Sequence, residues 1–464
     1  MTNDSQSMLF EKSEIDTLTT PTPSAPPRER SPAKPRLNKP ERLQGEMRCE
    51  SLDQRLDADH PARAIWQLVQ GLDLSCLYQQ IDAVEGVAGR NASDPQVLFA
   101  LWLYAATDSV SSARELERLC FEHRAYEWLC GNVPVNYHML ADFRVQHGQL
   151  LKELQVDSLA GLIAEGLVSL ETAAQDGMRV RASAGSSSFR RQPTLEEAQR
   201  QAREHLDKLQ QESEADAAGQ TLRQQKAQER AARERLERVG KAIEAAQHIA
   251  QQREKRKKGD GDKARASTTD PDARNMKMGD GGFRPAYNVQ MATDAESGII
   301  LNMDVINEGS DAGQMKPMMD EIKESVGQAP KILLTDGGFS TLQDIEATTQ
   351  GGTTVYTPIK EEAKQKEAGK DPFAPKPNDS PTIAEWRQRM GTDAAKELYK
   401  LRAPTAELPN ARLRNQGVYQ MRVRGLAKVK AALWWHVLAL NLLRAEVLRA
   451  ARAKSAEIPC TPVA

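Results

Sequence analysis

The chain runs to 464 residues, more than one ordinary hydrophobic core takes up, so two or three domains are expected. Its 39% hydrophobic and 28% charged residues describe a soluble protein with solvated helical stretches. The formal net charge of −2 excludes a uniformly basic nucleic-acid coat but leaves local basic patches open, and the 5% aromatic content makes stacking on single-stranded bases no theme of the composition.

Five cysteines (Cys49, Cys76, Cys120, Cys130, Cys460) form no CxxC pair, and an odd number suits a reducing cytosol. Met1-Thr2-Asn3-Asp4 lacks the basic and apolar regions of a signal peptide. The longest apolar run, at about 431–443, carries His436 and Asn441 and is shorter than a bilayer span. The expectation is a cytoplasmic protein, nucleoid-associated if it binds DNA, with no membrane part.

Residues 1–45 are rich in Pro, Ser, Thr and charge and are expected to be a disordered tail, because they cannot bury enough apolar surface to offset ordering entropy. Residues 46–165 read as helical. Ile65, Leu68, Val69 and Leu72 follow His60-Pro61 at helical spacing, Asp94-Pro95 opens a second helix, and Ser112–Cys120 forms a third. After a loop at 131–134 comes the polar, basic stretch Asn136–Arg144. Short helices ending in a basic one suggest a helix-turn-helix-like, DNA-binding module; the alternative is a helical bundle that dimerises. Cys120, His123, Cys130 and His138 match no common zinc spacing and are read as packing residues.

From Ala173 to Ala182 the period changes to that of a strand, with Asp176 near its middle. An acid inside a core strand is costly unless paired or bound to metal, which marks Asp176 as a functional candidate. Residues 194–265 are highly charged and helical, with a capping-box spacing from Thr194 to Glu197, a break at Gly219 and a narrow seam of Leu236, Val239, Ile243 and Ala246. This reads as an inserted helical hairpin, ending in the basic run Arg253–Lys263. Strands are expected at 287–293 and 298–305, joined by a hairpin at 294–297, then a helix at 313–326. A strand at 332–335 delivers Asp336 ahead of Gly337 and Gly338; a helix at 341–348 and a strand at 353–358 follow. In open α/β sheets ligands bind beyond the strand ends, so a carboxylate there is placed to hold a metal ion. The alternative is that Asp336 caps the helix starting near Ser340.

Residues 360–382 read as a linker, followed by helices at about 383–402, 405–416 and 426–453. From Arg412 to Lys454 ten Lys and Arg residues face Glu446 alone, a basic surface suited to phosphate contact.

Taken in order, these residues resemble the bacterial insertion-sequence DDE transposases. The resemblance rests on His60-Pro61-Ala62-Arg63-Ala64-Ile65-Trp66, Asp176-Gly177, Met276-Lys277-Met278, Tyr287-Asn288-Val289-Gln290, Gly309–Gln314 and Asp336-Gly337-Gly338-Phe339. It continues through Tyr399-x-x-Arg402-x-x-x-x-Glu407, Asn410–Arg414 and Val423-Arg424-Gly425-Leu426. The Arg402-to-Glu407 spacing is one residue longer than the commonest form of that signature. The resemblance implies an α/β fold: an RNase H-like mixed sheet flanked by helices (166–193 and 266–454), an all-α N-terminal domain, the inserted coiled-coil arm, and a C-terminal tail at 455–464. It implies Asp176, Asp336 and Glu407 as the catalytic acids and metal ligands, with Tyr399, Arg402 and Arg414 beside them; together with Arg412, Arg424 and Lys428 of the basic C-terminal surface these are expected on the DNA. Two Mg²⁺ ions (or Mn²⁺) about 4 Å apart would serve the attacking and leaving oxygens of an in-line phosphodiester displacement. The expected partner is double-stranded DNA, as transposon ends and target, bound by a homodimer assembled on it. A catalytically silent DNA-binding relative and a general RNase H-like nuclease are the alternatives.

Overall fold

In the computed structural model the described residues are 49–84, 86, 88, 90–215 and 222–456. The expected disordered tail, Gly219, Cys460 and nearly all of 455–464 lie outside them.

The N-terminal helices begin where the caps demand. His60 Nδ1 accepts from the Ala62 N–H ahead of α1 (Pro61–Gln70), and α2 (Ser75–Tyr78) is a single turn. Asp94 caps α3 (Pro95–Thr107), Ser112 caps α4 (Ala113–Glu122), and α5 (Arg124–Cys130) stops at Gly131 in the left-handed region. Asn136 caps α6 (Tyr137–Gln146), which leads into α7 (Gly148–Ala164). α3 is apolar all round and accordingly buried from Pro95 to Ala106. α6, the helix expected to be a basic DNA reader, turns Arg144 inward, with its guanidinium 4.8 Å from the Trp102 ring centroid.

The strands are β1 (Thr172–Arg181), β2 (Phe189–Arg190), β3 (Ala266–Ser267), β4 (Arg274–Lys277), β5 (Phe283–Asp294), β6 (Ile300–Ile306), β7 (Ile332–Leu334) and β8 (Thr354–Tyr356). Between β2 and β3 stand α8 (Gln192–Ala215) and α9 (Leu222–Arg256), packed on each other. Their foot has its own small core of Leu195, Ala242, Ala246 and Ala266, beside the two-stranded β2–β3 sheet. α10 (Met315–Val326) and α11 (Leu342–Gln350) follow β6 and β7. The C-terminal part holds α12 (Glu362–Glu367), α13 (Pro381–Met390), α14 (Asp393–Tyr399), α15 (Arg402–Asn415) and α16 (Leu426–Ala456).

The main sheet runs β6–β5–β1–β7–β8, with β4 continuing the β6 edge of β5. β5 is antiparallel to β1, whereas β7 and β8 run parallel to it. This mixed α/β architecture is consistent with an RNase H-like DDE domain. One face of the sheet packs against α10, α11, α13 and the end of α7 through Met315, Met318, Ile345, Trp386 and Leu159. The other face meets α15 and α16, and its core runs without a break through Trp435 and Leu438 into the N-terminal helices. Phe99 and Trp435 close that junction, ring centroids 4.6 Å apart. The described residues from Ser51 onward form one compact unit. As a helix, α16 extends well past the apolar run and reaches a length and composition that would suit a bilayer, but 67% of its most apolar window is buried inside the protein.

Candidate active site

β1 and β7 pair only from Thr172↔Ile332 to Ala174↔Leu334. Two residues past the last pair on each strand come Asp176 and Asp336, so parallel register alone sets the two acids side by side. Beyond Leu334 the chain turns away at Gly337 and Gly338, past the carboxyl end of β7, the position at which open α/β sheets bind ligands. Beside this strand end lies α15. Its Arg402 guanidinium approaches both acids, 3.3 Å from Asp176 Oδ1 and 3.9 Å from Asp336 Oδ2. Asp176 Oδ1 also accepts from the Gly177 N–H (2.9 Å) and Oδ2 from Asn410 Nδ2 (3.0 Å). Asp336 Oδ1 accepts from the Gly338 N–H (2.8 Å), a local turn. The cap of α11 is Thr341, so Asp336 is free of the capping role that sequence left open. Tyr399 Oη donates to the Thr335 carbonyl (3.0 Å) and so props the strand end from α14.

Burial pushes the Asp176 carboxyl above its usual range; Arg402 pulls it back, and the nearby Asp336 and Asp311 push it up again. Three carboxylates, Asp176, Asp336 and Asp311, thus face two guanidiniums, Arg402 and Arg179.

Glu407 lies on α15 five residues after Arg402 and is exposed, one turn before the Asn410 that touches Asp176. Pro409 follows it inside the helix and, lacking an N–H, leaves the preceding turn without one backbone bond. Among the described residues no three acid, histidine or cysteine side chains are gathered closely enough to hold an ion between them. The donor set nonetheless suits a hard divalent cation. Asp176 and Asp336 offer carboxylate oxygens, Asn410 Oδ1 is buried without a partner, and a guanidinium already bridges the two aspartates as their counter-charge.

The residues expected on DNA differ in their availability. Arg414 and Lys428 are exposed, Arg412 is half-buried, and Arg424 Nε is bonded to the Ser183 carbonyl at 3.0 Å. Elsewhere at the basic end much of the charge is consumed internally. Lys430 pairs with Asp304, Arg449 with Glu165 (2.6 Å), Arg444 with the Ser297 carbonyl and Arg452 with that of Glu165.

Asp311 is a site residue that sequence reasoning passed over, although its segment carried part of the resemblance. Its Oδ1 accepts from Asn288 Nδ2 and Gln290 Nε2, both at 2.7 Å, and its Oδ2 faces Arg179 at 3.4 Å. Asn288 and Gln290 lie opposite Arg179 and Gly177 in the β1–β5 ladder and are almost fully buried. The signal was there: in Tyr287-Asn288-Val289-Gln290 the polar residues alternate with apolar ones in a strand whose two faces are both covered.

Fold and site together define a mixed α/β domain with paired acids where two adjacent parallel strands part, Asp176 within β1 and Asp336 just past the end of β7, an arrangement suited to metal-assisted phosphoryl transfer. Residues 251–442 match the family described as Transposase DDE domain, and residues 50–146 match the family described as Transposase domain (DUF772). These matches mark the chain as an insertion-sequence DDE transposase. No curated protein and no solved structure matches it. Asp311, Asp336 and Glu407 fall within the first match, and Asp176 precedes it. Such domains act in general as nucleases and transesterases on DNA and use divalent metals.

Proposed function

We propose that the chain catalyses metal-dependent DNA strand cleavage and strand transfer at insertion-sequence ends, with Asp176, Asp336 and Glu407 as its catalytic acids. The observation that carries this reading is the parallel register that sets Asp176 beside Asp336, both within reach of Arg402 on the helix that bears Glu407. Mg²⁺ or Mn²⁺, as a pair of ions, would supply the Lewis-acid charge that activates the attacking oxygen and stabilises the leaving one. Asp176 within β1 and Asp336 just past β7 would hold that pair on a rigid sheet, with Asn410 Oδ1 and Glu407 completing the oxygen set from α15. Arg402 would exchange its two carboxylates for a phosphate of the scissile strand, which its planar fork binds with two parallel hydrogen bonds. Tyr399 would keep the strand end from shifting as Arg402 leaves. α8 and α9 form the inserted coiled-coil arm on this reading, and a homodimer assembled on two double-stranded ends is the working form in the cytoplasm.

The test uses the purified full chain and a plasmid carrying the DNA that flanks its own coding region. Strand breaks at the repeat boundaries with Mg²⁺, and none with a chelator, are expected. Binding to those boundaries without breaks under any divalent ion would favour the catalytically silent relative. Breaks scattered along the plasmid would favour a general nuclease.

A further inference from the structure

The basic run at the end of α9 has no part in the site just described, and the fold brings it there. The last turns of α9 carry His248, Arg253 and Arg256 along one wall of an open cavity of about 350 Å³. The opposite wall is β4, with Arg274 and Asn275, and the far end is the loop after β6 that includes Gly309 and Ser310. Glu308 is the one acid on the lining. Arg253 is exposed and held only by Asp260 at 3.4 Å, within the same turn region. Arg256 is exposed and makes no ion pair among the described residues. Lys255, Lys257 and Lys258 extend the positive charge beyond the cavity mouth.

The loop at the far end of the cavity connects to the site through Arg179 and Asp311. The Gly309 carbonyl accepts from Arg179 Nη2 (2.8 Å), and Arg179 in turn faces Asp311, whose Oδ2 borders Gly338 in the turn that carries Asp336. A chain of phosphates following the guanidiniums of Arg253, Arg256 and Arg179 would run from the arm toward Asp336. We propose that this groove between α9 and β4 binds the sugar–phosphate backbone of the DNA next to the scissile phosphate. On this account the arm is a phosphate-binding wall of the active site, a role distinct from that of the basic C-terminal helices. The proposal rests on the transposase reading above.

Two double variants of the full chain separate groove from general charge. Arg253→Ala with Arg256→Ala removes two groove cations, and Arg230→Ala with Arg235→Ala removes two exposed cations from the outer part of the same helix. Alanine at exposed helix positions favours the helix, so both variants keep α9 folded, as its circular dichroism verifies. Binding of a random-sequence duplex is followed by fluorescence anisotropy across a salt series. The groove pair is expected to lower the slope of log affinity against log salt by roughly 1.8, about 0.9 per lost phosphate contact, and the outer pair to leave it unchanged. A wild-type slope in the groove pair, or equal losses in both pairs, would overturn the proposal. Failure of the wild-type chain to bind duplex DNA at any salt would instead overturn the transposase reading beneath it.

Discussion

Gly177 occupies an ordinary strand backbone in β1, yet its neighbours leave no room for a side chain. A Cβ there would collide with Asp311 Oδ1 and come within 2.6 Å of Gln290 Nε2 and 2.9 Å of Asn288 Oδ1. The glycine is thus what allows Asp311 and its two amide donors to close over β1, on the face opposite the Asp176 side chain. Gly177→Ala is expected to cost about 1–3 kcal/mol through overpacking, read from the urea midpoint, and to reduce DNA cleavage by more than that loss of folded protein explains. Wild-type stability and cleavage would mean that the cradle is looser than its distances suggest. At this scale the sequence was informative in a particular way. Asp176 and Asp336 stood out because an acid in or just past a buried strand needs a reason. Asp311 did not, because in a loop an aspartate is ordinary; only its three-dimensional partners, Asn288, Gln290 and Arg179, make it unusual.

Among the elements, α8 and α9 stand on a base of their own. Arg190 and Ala266 are register partners in the β2–β3 pair, so the two chain ends entering the helices lie side by side. Replacing 191–265 by a short Gly/Ser turn should therefore close β2 onto β3 as a hairpin and leave the main sheet folded, with a single cooperative thermal transition. The separate core at the foot, Leu195 with Ala242 and Ala246, supports this, and loss of cooperative unfolding on deletion would show that the sheet depends on the arm. Helical periodicity made these two helices legible, and β-branched runs did the same for β5, β6 and β7. What escaped was short or depended on long-range partners. β4 has four residues and exists because it pairs with the start of β5, across a turn in which Gly281 takes a positive φ. The stretch expected as one helix at 383–402 is two, since Gly391 packs against the Phe373 ring and Thr392 caps a fresh start by accepting from the Ala395 N–H.

At the scale of the whole molecule, α16 ties the catalytic sheet to the N-terminal helices. Asn441, buried on this helix, bonds both the N–H (2.9 Å) and the carbonyl (2.7 Å) of Ile300 on β6. A polar residue inside an apolar run was the clue against a membrane helix, and in the fold it pins the helix to the sheet. On its other side Trp435 meets Phe99 and donates to the Arg144 carbonyl. Sequence alone divided helical and catalytic segments where the period changes, and could not reveal that they share one core, because which helix fills the gap between them is a matter of packing. That shared core keeps α15, and with it Arg402, Glu407 and Asn410, at a fixed distance from β1 and β7. The three acids are therefore expected to act as a unit. The most direct measurement is single-strand cleavage of a terminal-repeat oligonucleotide duplex by Asp176→Asn, Asp336→Asn and Glu407→Gln, with binding to the same duplex measured alongside. Each variant should cleave at least about a hundredfold more slowly while binding within a few-fold of wild type, since affinity rests on phosphate contacts elsewhere. Wild-type cleavage by any one of them would contradict the assignment of that acid, and wild-type cleavage by Asp336→Asn would contradict the account as a whole.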